Sequence, residues 1–290
     1  MSDRREEWNE EEAYLWCERT AREHYENFPV ASRLLPSGAR RHIAAIYAFA
    51  RYADDLADEG EMPVEERLTA LDIWNQRLEE AVQGNAQGPI FTALAATLRD
   101  TTVPLALLSD LLTAFRQDAR NSGFEREEDL FRYCTFSANP VGRLVLHLFD
   151  EATSEHLLLS DHVCTGLQLA NFWQDISIDL PRERINIPRE TMRRFGYTIS
   201  ELESGVFNEA FRSMMIYLTD RAEEELRSGS SLPRSISSYR LRLELNGTIL
   251  GGLKVVEKIR GLDYNLLSRR PTVGKGDILG IGGRALFRSL

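Results

Sequence analysis

Gln168–Asp179, read as QLANFWQDISID, constrains the fold of this chain more than any other stretch. Asn171, Asp175 and Asp179 recur every four residues, a spacing that stacks side chains along one face of an α-helix. Eight residues of helix rise roughly 12 Å, so three hard oxygen donors line two turns, with Gln168 one turn earlier. Leu167, Leu169, Ala170, Phe172, Trp173, Ile176 and Ile178 occupy the other faces. The stretch therefore predicts a largely buried helix carrying an acidic strip. Like charges in such a place are costly unless something positive compensates them.

A second acidic cluster lies upstream in YAFARYADDLADE, where Asp54, Asp55 and Asp58 form a DDxxD pattern. A helix is expected from Ser37, a candidate N-cap, to about Gly60, with Ile43, Ile46, Tyr47 and Phe49 as its apolar stripe. Asp54 and Asp58 then sit near its C-terminal end, where the helix dipole disfavours anions. Stability gains nothing there, which points to cation binding.

The remaining chain reads as helices throughout. They are expected at 10–27, from Pro63 to Val82, at Ile90–Arg99 and Pro104–Arg116, and from Glu125 to Asp150 with an interruption at SANPVG. The central helix should cover Ser154–Asp179, followed by helices at 188–195, 199–203, 205–229, 235–261 and 276–288. Gly280–Gly283 reads as a turn. No long alternation of period two and no internal repeat appears, so an all-α single domain over 1–290 is expected.

Composition narrows the function. A net charge of −10 opposes nucleic acid as a main partner, since phosphate binding needs a basic field. Cys17, Cys134 and Cys164 form no CxxC pair, which suits a reducing, cytosolic setting. No apolar run approaches the roughly 18–20 residues that span a bilayer. The five histidines show no metal spacing, and no Walker A, GxSxG or Rossmann motif stands in its required context. A nicotinamide cofactor is therefore not expected.

Hard oxygen donors suit Mg²⁺, which keeps several waters and is typically held by one or two carboxylates plus phosphate oxygens. Two acidic helices thus describe a diphosphate site with metal between protein and substrate. Arg51, one turn before Asp54, and Arg184, five residues after Asp179, are candidate direct contacts to phosphate. Tyr133 could line the cavity, and Ser137, Ala138 and Gly142 would leave room for a bulky ligand. Phe207, Phe211, Met214 and Met215 read as plain core.

At these residues the chain resembles the squalene/phytoene synthase family, all-α enzymes of the class I isoprenoid synthase fold with a central cavity. HYENFPVASRLLP, Arg51–Glu59, Tyr133 with its small-residue break, NFWQDISID and RERINIP carry the resemblance. It implies Asp54, Asp58, Asn171, Asp175 and Asp179 as metal-binding catalytic residues. It further implies Arg51 and Arg184 at the diphosphate and Tyr133 along the cavity; Asn27, Gln168 and Gln174 are further candidate diphosphate contacts, and Phe28, Tyr47, Phe136, Ala138 and Phe172 further candidate cavity residues. Condensing members of the family carry polar and basic groups where this chain has Glu26-Asn27-Phe28 and Gln174, and a late tyrosine where it has Gly251-Gly252. Fewer cations suggest one diphosphate rather than two. The expected reaction is Mg²⁺-dependent ionisation of presqualene diphosphate, rearrangement and capture by water, with Gln168 or Asn171 positioning the water. Head-to-head condensation of prenyl diphosphates is the alternative, and a helical binding module with incidental acidic faces is the non-enzymatic one. A peripheral membrane contact is expected through Arg269, Arg270, Lys275, Arg284 and Arg288, and the oligomeric state stays open.

Overall fold

Apolar residues at helical spacing along Ser37–Asp58 build the first core. A computed structural model describes residues 8–23, 37–58, 60 and 62–289 of the chain. Helix α1 (Glu10–Glu23) and helix α2 (Ser37–Asp58) pack on each other and on α3 (Val64–Val82), α4 (Gly88–Asp100) and α5 (Leu105–Arg120). Together with residues 143–152 they form one compact unit. Ile43, Ile46, Phe49, Ala53 and Ala57 of α2 are buried against Trp74, Phe91, Leu94 and Leu108. Phe49 stacks on Trp74 at 5.9 Å, and Phe91 meets Trp74 edge-on at 4.5 Å. Burying an aromatic ring such as Phe49 contributes about 1.5–3 kcal/mol. Tyr14, His42 and Thr97 close a buried triangle in this core, with 3.1, 3.1 and 3.0 Å between their polar atoms. Burial, and then Arg41 beside it, holds the His42 pKa below its ordinary value.

The second unit contains residues 121–142 and 153–290. Its helices are α6 (Glu127–Ser137), α7 (Asn139–Leu148, of which the first turn belongs here), α8 (Ser154–Gln174) and the single turn α9 (Ile176–Asp179). They are followed by α10 (Arg189–Arg194), α11 (Ile199–Glu203), α12 (Glu209–Ser228), the single turn α13 (Leu232–Ser235), α14 (Tyr239–Gly261) and α15 (Lys275–Ser289). No strand occurs among the described residues.

The axis of this unit is the pairing of α8 with α12. It is close because Gly166 has no side chain: a Cβ there would lie 2.7 Å from the Leu226 nitrogen. The Trp173 indole donates to the Leu218 carbonyl at 3.0 Å, satisfying a buried donor across the same interface. Phe211, Met214 and Met215 are core, as their spacing suggests, whereas Phe207 is 38% exposed. Gly280–Gly283 lie within α15 and not in a turn. Polar contacts at Asp277 and Ser289 hold that helix on α14 despite its glycines.

Candidate active site

In the first unit, the last turns of α2 bury Ala53 and Ala57 and leave Asp54, Asp55 and Asp58 half-buried on the opposite side. Arg51 spans this row, 2.7 Å from the Asp55 carboxylate and 3.5 Å from that of Asp54. Tyr47 is half-buried, seven residues before Asp54 and thus on the same face. The adverse dipole at this helix end is met by a residue the sequence did not single out. Arg67 donates through Nη1 to the Ala57 carbonyl and through Nη2 to that of Gly60, each at 2.6 Å, and through Nε to that of Met62 at 2.9 Å. A cation on the last carbonyls offsets the dipole that opposes the aspartates.

In the second unit, the ladder occupies the end of α8. Gln168 is half-buried and Asn171 exposed, and Asp175 and Asp179 are partly buried. The expected continuous helix breaks at Asp175, whose φ of −99° and ψ of 5° end α8. The Asp175 amide still donates to the Asn171 carbonyl at 3.0 Å, and the Asp179 amide to the Asp175 carbonyl at 2.9 Å. Spacing along the ladder thus survives the kink. Burial, reinforced by the neighbouring Asp175 charge, pushes the Asp179 carboxyl up to about 6. Such a group calls for a cation.

Arg184 partly answers that call. A 3₁₀ turn at Leu180–Arg182 and a left-handed Glu183 (φ 57°) reverse the chain, and the Arg184 amide donates to the Asp179 carbonyl at 3.1 Å. Arg184 lowers the Asp179 pKa, as does a 3.0 Å hydrogen bond donated by Asn186 Nδ2. Phe172, Ile176, Asp179, Leu180, Arg184 and Asn186 line one cleft. The loop is held from below, where Asn121 Nδ2 donates to the Glu183 carbonyl at 3.2 Å and the Arg189 amide to that of Phe124 at 3.0 Å.

Arg270 supplies a further cation, lying 2.5 Å through Nε from Asp175 Oδ1. It belongs to this site and leaves the basic membrane patch expected for it. Gln174 also takes a different role from the one expected. It is buried, and its Nε2 donates to the Pro271 carbonyl at 2.6 Å, so its amide nitrogen is taken up in anchoring the segment bearing Arg270.

Tyr133 is buried, its ring 5.4 Å from Phe124 and 5.9 Å from Phe172, beside the ladder. Phe136 and Ala138 are half-buried at the end of α6. Gly142 leaves no room for ligand. A Cβ there would meet Ser160 Oγ at 2.3 Å and Cys164 Sγ at 2.5 Å, so this glycine lets α7 touch α8. Glu26, Asn27 and Phe28 lie outside the described residues.

The structure thus gathers Asn171, Asp175, Asp179, Arg184 and Arg270 in one unit and Arg51, Asp54 and Asp58 in the other. Among the described residues, no three acidic, histidine or cysteine side chains converge to hold a metal by themselves. The donors that are present still fit Mg²⁺. They are hard oxygens, one of them in a carboxyl that burial and then the Asp175 charge hold near 6, and this ion takes much of its coordination from water and phosphate.

An all-α scaffold with acidic motifs on two helices and arginines beside them is the architecture of a class I isoprenoid synthase. Residues 21–277 match the sequence model of the squalene/phytoene synthase family. The chain is 33% identical over 238 residues to a hydroxysqualene synthase of Sinorhizobium fredii (strain NBRC 101917 / NGR234), covering 82% of this chain and 80% of that protein. It is 34% identical over 223 residues to one of Rhodopseudomonas palustris (strain ATCC BAA-98 / CGA009), covering 76% and 75%. Among solved structures it is similar to squalene synthase HpnC from Alicyclobacillus acidocaldarius, with a TM-score of 0.82 and 37% identity over 87% of this chain and 95% of that one. The chain belongs to the squalene/phytoene synthase family, whose enzymes act on prenyl diphosphates.

Proposed function

We propose that this enzyme ionises presqualene diphosphate, rearranges the resulting cation and captures it with water, giving hydroxysqualene and diphosphate. The observation that carries this choice is the similarity, at 33% and 34% identity, to two proteins named hydroxysqualene synthase. The count of cations carries it less. Gln174 adds no charge, but Arg270, expected from the sequence at a membrane contact, adds one beside Asp175.

Asp54 and Asp58 on one helix, and Asn171, Asp175 and Asp179 on another, would hold Mg²⁺. Bound Mg²⁺ supplies charge stabilisation to the departing diphosphate. Arg51, Arg184 and Arg270 bind the phosphate oxygens directly, and guanidinium groups suit this because they present several donors in one plane. The carboxylates now paired with Arg51 and Arg270 hold those arginines beside the acidic rows before substrate arrives. The rings of Phe124, Tyr133 and Phe172 offer faces to a carbocation and keep bulk water off it. Gln168 and Asn171 lie on the same face as the carboxylates and can orient a single water. No hydride is consumed, so no nicotinamide is required. A cytosolic enzyme that meets its long apolar substrate at a membrane surface fits this chemistry.

Asp54→Ala and Asp175→Ala, made separately, test the assignment of both acidic motifs. Each should keep its helical circular dichroism and lose Mg²⁺-dependent diphosphate release from presqualene diphosphate. Full release by either variant would remove that motif from the mechanism.

A further inference from the structure

Helix α15 wears its polar and apolar sides in reverse. Toward α14 it presents Asp277, Ala285 and Ser289. Asp277 pairs with Lys258 at 2.9 Å and Lys254 at 3.5 Å, and accepts the Gly274 amide at 2.9 Å. At the other end Asn246 Nδ2 donates to Ser289 Oγ at 2.8 Å, and Arg242 Nη1 to the Ser289 carbonyl at 3.2 Å. The helix is therefore pinned at both ends by polar groups on its inner side. Its bulky apolar side chains Leu279, Leu286 and Phe287 point outward, at 78%, 48% and 85% exposure. Leu279 and Leu286 stand about two turns apart on one face with Phe287 beside them, and the exposed Gly282 and Gly283 between them leave that surface bare. A helix in water arranges itself the other way round.

Charge identifies what covers this face. The whole chain carries −10, yet from Tyr264 to Leu290 it has five cations and one carboxylate, Asp277, which is taken up by the two lysines. Arg270 is engaged by Asp175, but Arg269, Lys275, Arg284 and Arg288 are exposed around the apolar face. A second copy packed across a two-fold axis would bring these cations against themselves. An anionic lipid surface complements both features, with acyl chains for the leucines and phenylalanine and headgroups for the cations. No described helix is long and apolar enough to cross a membrane, so the contact is interfacial. We infer that α15 docks this enzyme on anionic lipid surfaces by inserting Leu279, Leu286 and Phe287 between headgroups held by Lys275, Arg284 and Arg288. This does not depend on which prenyl diphosphate the enzyme takes.

Flotation of the purified full chain with vesicles tests it, comparing phosphatidylcholine alone with phosphatidylcholine mixed with phosphatidylglycerol. The chain should float with the mixed vesicles and much less with the neutral ones. The double variant Leu279→Ser/Phe287→Ser should partition about tenfold more weakly or worse, because its apolar anchors are gone. Arg284→Gln/Arg288→Gln should lose most of the preference for phosphatidylglycerol. Both variants change outward-facing residues and should melt as the parent does. A parent that stays at the bottom of the gradient with both vesicles would overturn the inference, as would undiminished flotation of Leu279→Ser/Phe287→Ser. So would a dimer in sedimentation velocity that this double variant dissolves, since a second copy would then be the occupant.

Discussion

Two glycines on neighbouring helices should respond to the same substitution with opposite sign. At Gly166 an added Cβ would lie 2.7 Å from the Leu226 nitrogen, 2.8 Å from Leu226 Cγ and 3.0 Å from the Ala222 carbonyl oxygen. Two of these atoms are backbone of α12 and cannot swing aside. Ordinary contact starts near 3.4 Å, so α8 and α12 must part by about 0.7 Å. Overpacking of this kind costs about 1–3 kcal/mol, and alanine's better helix propensity returns about 1 kcal/mol. Gly166→Ala should thus lose up to about 2 kcal/mol, seen as a Tm lower by up to about 4 °C in a circular dichroism melt. At Gly251 in α14 nothing lies within 4 Å of the new Cβ, so Gly251→Ala should gain up to about 1 kcal/mol. The clash also reaches the site, since Gly166 precedes Gln168 and Asn171 on the same helix. A displacement approaching 1 Å can cost about a hundredfold in rate, so Gly166→Ala should lose far more activity than stability. A Gly166→Ala protein as stable and active as its parent would refute the claim that this close approach sets the position of the ladder.

Removing Arg270 should separate binding from folding. Its ion pair with Asp175 is partly exposed and contributes at most about 1 kcal/mol, so Arg270→Ala should barely move Tm, while diphosphate release falls by about a hundredfold. An Arg270→Ala enzyme with unchanged release would return this residue to the surface. Asp179 has a folded pKa of about 6, above its ordinary 3.8, so its contribution to stability is present at low pH and lost as pH rises through 6. Without Mg²⁺, Asp179→Asn should therefore raise Tm at pH 8 and leave it unchanged near pH 4; a lower Tm at pH 8 would contradict the burial argument. His42 titrates in the opposite sense, because its folded pKa lies below 6.5. The stability it confers is present above 6.5 and lost as pH falls below that value, where the unfolded chain takes up the proton first. His42→Gln should disrupt the triangle with Tyr14 and Thr97 at a cost of about 1–3 kcal/mol at pH 7.5, and flatten the decline in Tm toward pH 5.5. His147 is shifted the same way, so part of the decline should persist.

Much of this architecture was legible in the sequence because period and punctuation agree with packing. Ile43, Ile46 and Phe49 recur at helical spacing and are buried, and the expected helix at 199–203 is observed at the same residues. What escaped has identifiable causes. The break at Asp175 has no proline or glycine to announce it and keeps the hydrogen bonds on either side. The one-turn helix Leu232–Ser235 is too short to show a period. Gly142 reads as space and is in fact contact, a distinction set by Ser160 and Cys164 on another helix. Glycines 280, 282 and 283 argue against a helix locally, and packing of Asp277 and Ser289 on α14 overrides them. Arg270 and Asp175 are 95 residues apart, and no local pattern links them. The acidic ladder itself was readable because its spacing matches the helix repeat, which is also why its carboxylates stay on successive turns.

The reaction can be decided by supplying the pure enzyme, with Mg²⁺ and without NADPH, with farnesyl diphosphate in one vessel and presqualene diphosphate in another. The proposed function calls for an alcohol formed only from presqualene diphosphate, its oxygen drawn from isotopically labelled water. Rapid consumption of farnesyl diphosphate alone, with presqualene diphosphate or squalene-type products accumulating, would contradict it.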